Sequence, residues 1–255
     1  MSPLARALGA FTLLASVSGW AAHPLVTDDT GTQGAAGWQL EVTADHLFNR
    51  DADGHLSERT NALTLTGGLT DSTDLGVSMP WLSRRDPMTN EGRHETGLGD
   101  VGLTIKHRYL ERDSLQMGLK VSISLPNGEL DKGLGKATGT QSLYHLTSMS
   151  TEAGTALFNV GLIHNGDSRA IVGEHPWLWA ASAAWLMSPI EGWTLAFDLG
   201  AQRQSARTES KNPAYGLIAL IWSISPKIDL DVGYKRALNS AESDKTLSVG
   251  LTQRW

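Results

Sequence analysis

The stretch DKTLSVGLTQRW, Asp244 to Trp255, decides the fold. Leu247, Val249, Leu251 and Trp255 share one parity, broken only by Gln253; Thr246, Ser248, Gly250, Thr252 and Arg254 share the other. A strand sends alternate residues to opposite faces, so this segment has an apolar face and a wet one. It keeps that pattern to its last residue, where chain ends are more often polar and frayed. The apolar face needs an apolar medium, and the rest of the chain indicates which.

The same period of two recurs along the sequence. Leu115, Met117, Leu119, Val121, Ile123 and Leu125 alternate with Gln116, Gly118, Lys120, Ser122 and Ser124. Similar alternation begins near Trp38, Asn61, Thr73, Gly99, Thr155, Trp193 and Lys227, and is weaker from Gln141, Pro176 and Tyr215. With the C-terminal stretch this predicts about twelve strands of roughly ten residues, the length a tilted membrane-crossing strand needs. Short turns such as TDST, ERDS and TEAG alternate with long polar loops such as NRDADGHLSE, SRRDPMTNEGRHETG and PNGELDKGLGKATGT. Short turns at one end and long loops at the other are the layout of an outer-membrane barrel. Tryptophans strengthen the reading. Trp38, Trp185, Trp193, Trp222 and Trp255 fall at short-turn ends, and Trp81, Trp177 and Trp179 at long-loop ends. Indole rings favour the membrane–water boundary, and a soluble β-sandwich has no use for two such girdles. The expected fold is therefore all-β: a transmembrane antiparallel up-and-down β-barrel of about twelve strands, with short periplasmic turns and long extracellular loops.

The N-terminus is set apart. Residues 1–21 carry one charge, Arg6, then an apolar small-residue run and Gly19-Trp20-Ala21, the pattern of a cleaved secretory signal. Residues 22–37 show no strand pattern and are expected to be a periplasmic lead or a segment tucked into the lumen; the barrel spans 38–255. Removing the signal takes the formal net charge from −6 to −7, since Arg6 is its only charge. An exported acidic chain is a poor partner for nucleic acid. The absence of cysteine excludes a disulfide scaffold and thiolate metal sites.

Alternation assigns Glu41, Asp45, Asp74, Asp100, Lys106, Arg108, Lys120, Asp198, Asp229, Asp231, Lys235 and Arg254 to the lumen. Seven carboxylates against five cations predict a weak cation preference at most. The loop from Arg84 to Thr96 is a candidate for folding inward. Asn49, Asp51 and Asp53, with Glu58 as a displaced fourth ligand, imitate a calcium loop; Thr60 stands where its closing Glu belongs, and a hairpin turn built on Asp and Gly is the simpler reading. Gly97-Leu98-Gly99-Asp100-Val101-Gly102 matches a dinucleotide fingerprint, but a strand follows it where that fingerprint needs a helix. The glycines are expected to allow a turn or bulge. His46, His107 and His164 read as outward-facing, and no GxSxG or HExxH occurs, so no catalytic residue and no cofactor is expected.

The segments HPLVTDDTGTQGAAGWQLE, ETGLGDVGLTIKHRYL and SISLPNGELDKGLGKATGT resemble the outer-membrane barrel family described as "putative MetA-pathway of phenol degradation", often called transporters. The resemblance implies a barrel that passes small organic molecules, and no catalytic residues. The terminal aromatic with alternating apolar residues also resembles the signature read by the barrel-assembly machinery. The functional expectation is a monomeric narrow channel for passive passage of small, organic or aromatic, solutes. Its other partners are outer-membrane lipid and the assembly machinery. A structural barrel without transport and an outer-membrane lipid-modifying enzyme are the alternatives.

Overall fold

The computed structural model describes residues 23–51, 54–85, 94–166 and 173–255; the expected signal, 1–21, lies outside them. Thirteen strand segments follow one another: β1 (Trp38–Asp51), β2 (Gly54–Thr70), β3 (Thr73–Arg85), β4 (His94–Leu98), β5 (Gly102–Arg112), β6 (Leu115–Ser124), β7 (Gln141–Thr151), β8 (Gly154–His164), β9 (Trp177–Ile190), β10 (Trp193–Gln202), β11 (Ala214–Ser225), β12 (Ile228–Ala237) and β13 (Lys245–Arg254). All neighbours pair antiparallel. β4 and β5 both pair with β3 and together make one stave, so the barrel has twelve.

Closure is made by β1 and β13, whose register runs from Gln39 opposite Arg254 to Phe48 opposite Lys245. Trp38 N–H donates to the Trp255 carbonyl and Trp255 N–H to the Trp38 carbonyl, each at 3.1 Å. The seam is thus bonded to the last residue, which is why the C-terminal alternation does not fray.

The two faces of the wall are inverted relative to a soluble domain. Val42, Leu65, Leu75, Ile105, Phe158, Leu199 and Val249 point outward and are exposed, whereas Asp74, Asn159, Asp198, Asp229, Asp231 and Thr252 are buried. An exposed Leu or Val forfeits about 1.5–3 kcal/mol that an apolar medium returns, so the belt requires hydrocarbon around it. Trp38, Trp222 and Trp255 flank the belt at the short-turn end, where Trp193 and Trp222 stack with ring centroids 5.4 Å apart. Trp81, Trp177 and Trp179 are exposed on the long-loop side. Trp185 sits deeper than expected, five residues inside the end of β9.

Three local features depart from the sequence reading. The polar stretch after Phe48 is not a long loop: β1 and β2 stay paired up to Asp51 opposite Gly54, making β2 seventeen residues long. The stretch HETGL, expected to belong to a loop, is β4 and extends the edge of β3. Between β4 and β5 the ladder breaks at Gly99–Val101, opposite Pro80. Proline has no N–H to give the ladder, and its carbonyl accepts from Gly99 N–H at 3.0 Å. The glycine-rich fingerprint is this break.

The belt gives a direct test. Val249→Arg places a guanidinium on the outward face in the middle of β13 and is expected to destabilise the barrel by about 2–4 kcal/mol in urea unfolding from lipid vesicles. Thr252→Ser, on the enclosed face, is expected to change it by less than about 1 kcal/mol.

Candidate functional site: the lumen and the segment inside it

Residues 23–33 lie inside the barrel, and the wall charges are arranged around them. His23 Nδ1 is 2.7 Å from Asp231 and its Nε2 3.5 Å from Asp45. Gly233 faces Pro24; a Cβ there would come within 2.8 Å of the proline ring. The Asp198 carboxylate accepts three bonds from the segment, from Val26 N–H and Thr27 N–H at 2.8 Å and Thr27 O–H at 2.7 Å, and one from Tyr215 O–H at 3.1 Å. Asp28 then reaches the opposite wall, 3.2 Å from Lys106 and 2.7 Å from Lys120. Asp29 adds a second contact to Lys106 at 3.4 Å. With its amide oriented to satisfy both ends, Asn159 bonds the Asp28 backbone N–H and carbonyl. Thr30 bonds Ser148 and Gln116, and Gln33 N–H donates to Asp74. The chain then leaves at the short-turn end, where Ala35 N–H meets the Asp71 side chain, and enters β1.

The charge logic is complementary. Two wall cations, Lys106 and Lys120, have their carboxylates in the segment. Four wall carboxylates, Asp45, Asp74, Asp198 and Asp231, meet donors there, with His23 lying between Asp45 and Asp231. Buried charges persist only when paired and hydrogen-bonded, so segment and wall depend on one another. The other assigned wall charges pair near the two ends. Arg254 bonds Asp229 at 2.7 Å and Gln39 at 3.0 Å, and Lys235 meets Glu242 at 3.1 Å. Arg108 meets Glu111 at 3.0 Å and the Asp71 carbonyl at 3.2 Å. Asp45, besides meeting His23, accepts from the Ser248 hydroxyl on the wall, and Glu41 lines the space between β1 and the segment.

Asp100 has a different part. It occupies the break before β5 and accepts from Gly128 N–H at 2.9 Å and Lys136 N–H at 3.0 Å, binding the loop between β6 and β7 to the wall. The inward-reaching loop is therefore 125–140 among the described residues. The flanks of the loop expected to constrict the lumen are paired strand, and its tip, 86–93, lies outside the described residues.

Two cavities flank the segment. One of about 240 Å³ faces the long loops and is lined by Val26, Lys120, Tyr144, Asn159, Tyr215 and Lys235 among others. The other, of about 260 Å³, faces the short turns and is lined by Asp29, Thr30, Gln116, Ser148 and the β7–β8 turn. Glycines make room for the two tyrosines: Gly161 lies against the Tyr144 ring and Gly200 against Tyr215.

The remaining candidates are less organised. Asn49 is in β1, Glu58 faces Arg84 at 3.9 Å, Asp53 lies outside the described residues, and so does the side chain of Asp51. Backbone pairing of β1 with β2 runs up to Asp51 opposite Gly54, through the stretch expected to be a twelve-residue ligand loop. No group of three or more metal-ligating side chains occurs among the described residues. His46 Nε2 is 2.9 Å from Ser57 Oγ, and His107 Nδ1 is 2.9 Å from Thr73 Oγ1, both on the outer face. Among the described residues no carboxylate is bonded to either imidazole as the orienting member of a Ser-His-Asp arrangement. His164 packs against Trp177.

Alternation could not reach Gln39, Gln116, Ser148, Asn159 and Tyr215, because neutral wall residues give no signal of their own. The adjacent Asp28 and Asp29, in a stretch without strand pattern, were the available hint that wall lysines had partners elsewhere.

A closed barrel with an apolar exterior and girdles of tryptophan defines a transmembrane β-barrel of the bacterial outer membrane. The chain belongs to the family described as "Putative MetA-pathway of phenol degradation", whose profile matches residues 26–255. An outer-membrane channel from Pseudomonas putida F1 shares the fold with a TM-score of 0.72 at 16% identity, over 89% of this chain and 98% of that one. The NanC porin superposes with a TM-score of 0.58 at 10% identity, and the KdgM porin in complex with disordered oligogalacturonate with 0.57 at 8%, each over 84% of this chain and 98% of its own. No curated protein sequence matches.

The His23 contact is pH-sensitive. Burial disfavours the imidazolium, but Asp231 and Asp45 outweigh it and push the pKa from 6.5 up to about 9. A raised pKa makes this attachment complete below the free value and lost as pH rises through the bound one. Hydrogen exchange at the Val26 and Thr27 amides should therefore accelerate, beyond its intrinsic pH dependence, between about pH 7 and about pH 10. The excess should vanish in His23→Gln.

Proposed function

We propose that the protein is a narrow outer-membrane channel for passive passage of small organic solutes, held nearly closed at rest by its own residues 23–33. The observation that carries this reading is the position of Asp28, bridged to Lys106 and Lys120 across the lumen with a cavity on either side. A solute passing from one cavity to the other must displace or squeeze past this bridge.

The cavity toward the long loops suggests the solute class. Its volume of about 240 Å³ is below the ~300–1,000 Å³ of sites for drug-sized ligands, which fits a molecule of about one ring. Tyr144, Tyr215, Leu146 and Ala180 supply apolar surface, and Lys120, Lys235 and Gln202 supply polar contacts. Likeness to a Pseudomonas putida outer-membrane channel supports passage, and the family description supports organic solutes. A structural barrel without transport is the second reading, favoured by the same filled lumen. The lumen chemistry consists of binding and charge pairing, and no reaction is proposed for it.

Planar-bilayer recording separates the two. The intact mature protein should show small, infrequent openings. Asp28→Ala leaves Lys106 facing Asp29 alone and Lys120 without its carboxylate, which should loosen the segment and raise mean conductance several-fold, on the order of the effect of breaking one buried pair. Deleting residues 23–33 should raise it further. Folded protein in which neither change produces conductance or flux of one-ring solutes would establish the structural reading.

A further inference from the structure

The outer face at the long-loop end carries a charge pattern that the lumen does not explain. Across the paired strands, one rung of outward residues runs Arg236, Lys245, Phe48, Ser57, Arg85, His94, from β12 through β13, β1, β2 and β3 to β4. The next rung toward the membrane runs Tyr234, Leu247, His46, Arg59, Ser83, Thr96. The third, Val232, Val249, Ala44, Asn61, Trp81, Leu98, opens the apolar belt. Four permanent cations and two histidines thus stand on six adjacent segments just beyond Trp81. Neither rung contains a carboxylate. Arg59, Arg85, Arg236 and Lys245 are all exposed.

Between β5 and β10 the rim differs. On β6 to β9 the corresponding outward rung is Ile123, Gln141, His164 and Trp177, with no permanent charge. The short-turn rim carries both signs, with Glu111, Arg112, Glu152, Glu191 and Lys227 exposed. The patch also runs against the chain's overall negative charge. Beside it lies an open groove of about 900 Å³ lined by Phe48, Leu56, Tyr234, Leu238, Arg236 and Lys245 among others, with Asp244 the one acidic residue among the described lining residues. Lys245 Nζ sits 5.0 Å over the Phe48 ring.

Cations at the membrane boundary attract anionic lipid, and guanidinium forks match phosphate oxygens two at a time. The long-loop end of an outer-membrane barrel faces the outer leaflet. We propose that this face is a docking site for the phosphorylated saccharolipid of that leaflet, lipid A. Its phosphates would lie against Arg59, Arg85, Arg236 and Lys245, and an acyl chain or sugar would pack along Phe48, Tyr234 and Leu238. The site is independent of whether the lumen conducts.

Native mass spectrometry of the refolded full-length mature barrel, with bisphosphorylated lipid A or its dephosphorylated form, tests the assignment. The phosphorylated form should bind selectively. Combining Arg59→Ser, Arg236→Ser and Lys245→Ser should weaken it on the order of 100-fold, three boundary cations acting together. Combining Arg112→Ser with Lys227→Ser at the other rim should leave binding unchanged. Heat-modifiable gel migration confirms that each variant is folded; should the triple variant not fold, Arg236→Ser alone, expected to lose about five-fold, replaces it. Equal binding of the two lipids, unchanged binding in the triple or single variant, or an equal loss at the short-turn rim would overturn the proposal.

Discussion

A sheet in hydrocarbon cannot leave an edge unpaired, because each bare N–H or carbonyl there costs several kcal/mol with no water to relieve it. The pairing of β1 with β13 meets that constraint, and the rest of the molecule follows from it. Once the ladder is closed, one face of every strand is outside and the other enclosed. Alternation then becomes an inside-out protein, with Val, Leu and Ile on the exterior and Asp, Asn and Thr within. The mutual bonds of Trp38 and Trp255 complete the seam where indole rings also suit the membrane boundary.

Enclosure creates a second constraint. Twelve staves give a lumen between one that side chains fill and one that remains open water. Wall charges there have lost most of their hydration and need partners. Some are found on the wall, as Arg254 finds Asp229. The central ones find theirs in residues 23–33: the Asp198 carboxylate takes backbone and hydroxyl donors, and the Lys106 and Lys120 ammoniums take Asp28. An enclosed bond of this kind is strong while intact and costly when half broken. That suits a segment with one held state and one released state better than a segment that drifts.

Much of the fold was legible because period two and tryptophan placement are one-dimensional signals of a two-faced wall. The C-terminal strand, the stave count and the turn layout follow from them directly. What escaped detection lacked that signal. The hairpin past Phe48 is polar on both faces because it projects beyond the belt, so its strands looked like a loop. The β4–β5 break depends on Pro80, twenty residues from Asp100 in sequence and opposite it only across the ladder. The site was partly legible: alternation put the charges on the enclosed face, while their partners lie up to 215 residues away, as in Arg254 with Gln39. Pairing over such distances is decided by barrel register, which sequence pattern alone does not number.

The closed seam can be measured directly, since the chain has no cysteine of its own. Ala44 and Val249 stand opposite each other across β1 and β13 on the outer face. Opposed residues of an antiparallel pair lie about 4.5–5.5 Å apart at Cα, within disulfide reach. Oxidation of the Ala44→Cys, Val249→Cys protein in membranes should give an intramolecular cross-link in nearly every molecule, while Ala44→Cys with Ile218→Cys, two staves further round, should give none. A folded protein that forms no cross-link at the seam, or only cross-links between chains, would contradict the closed barrel.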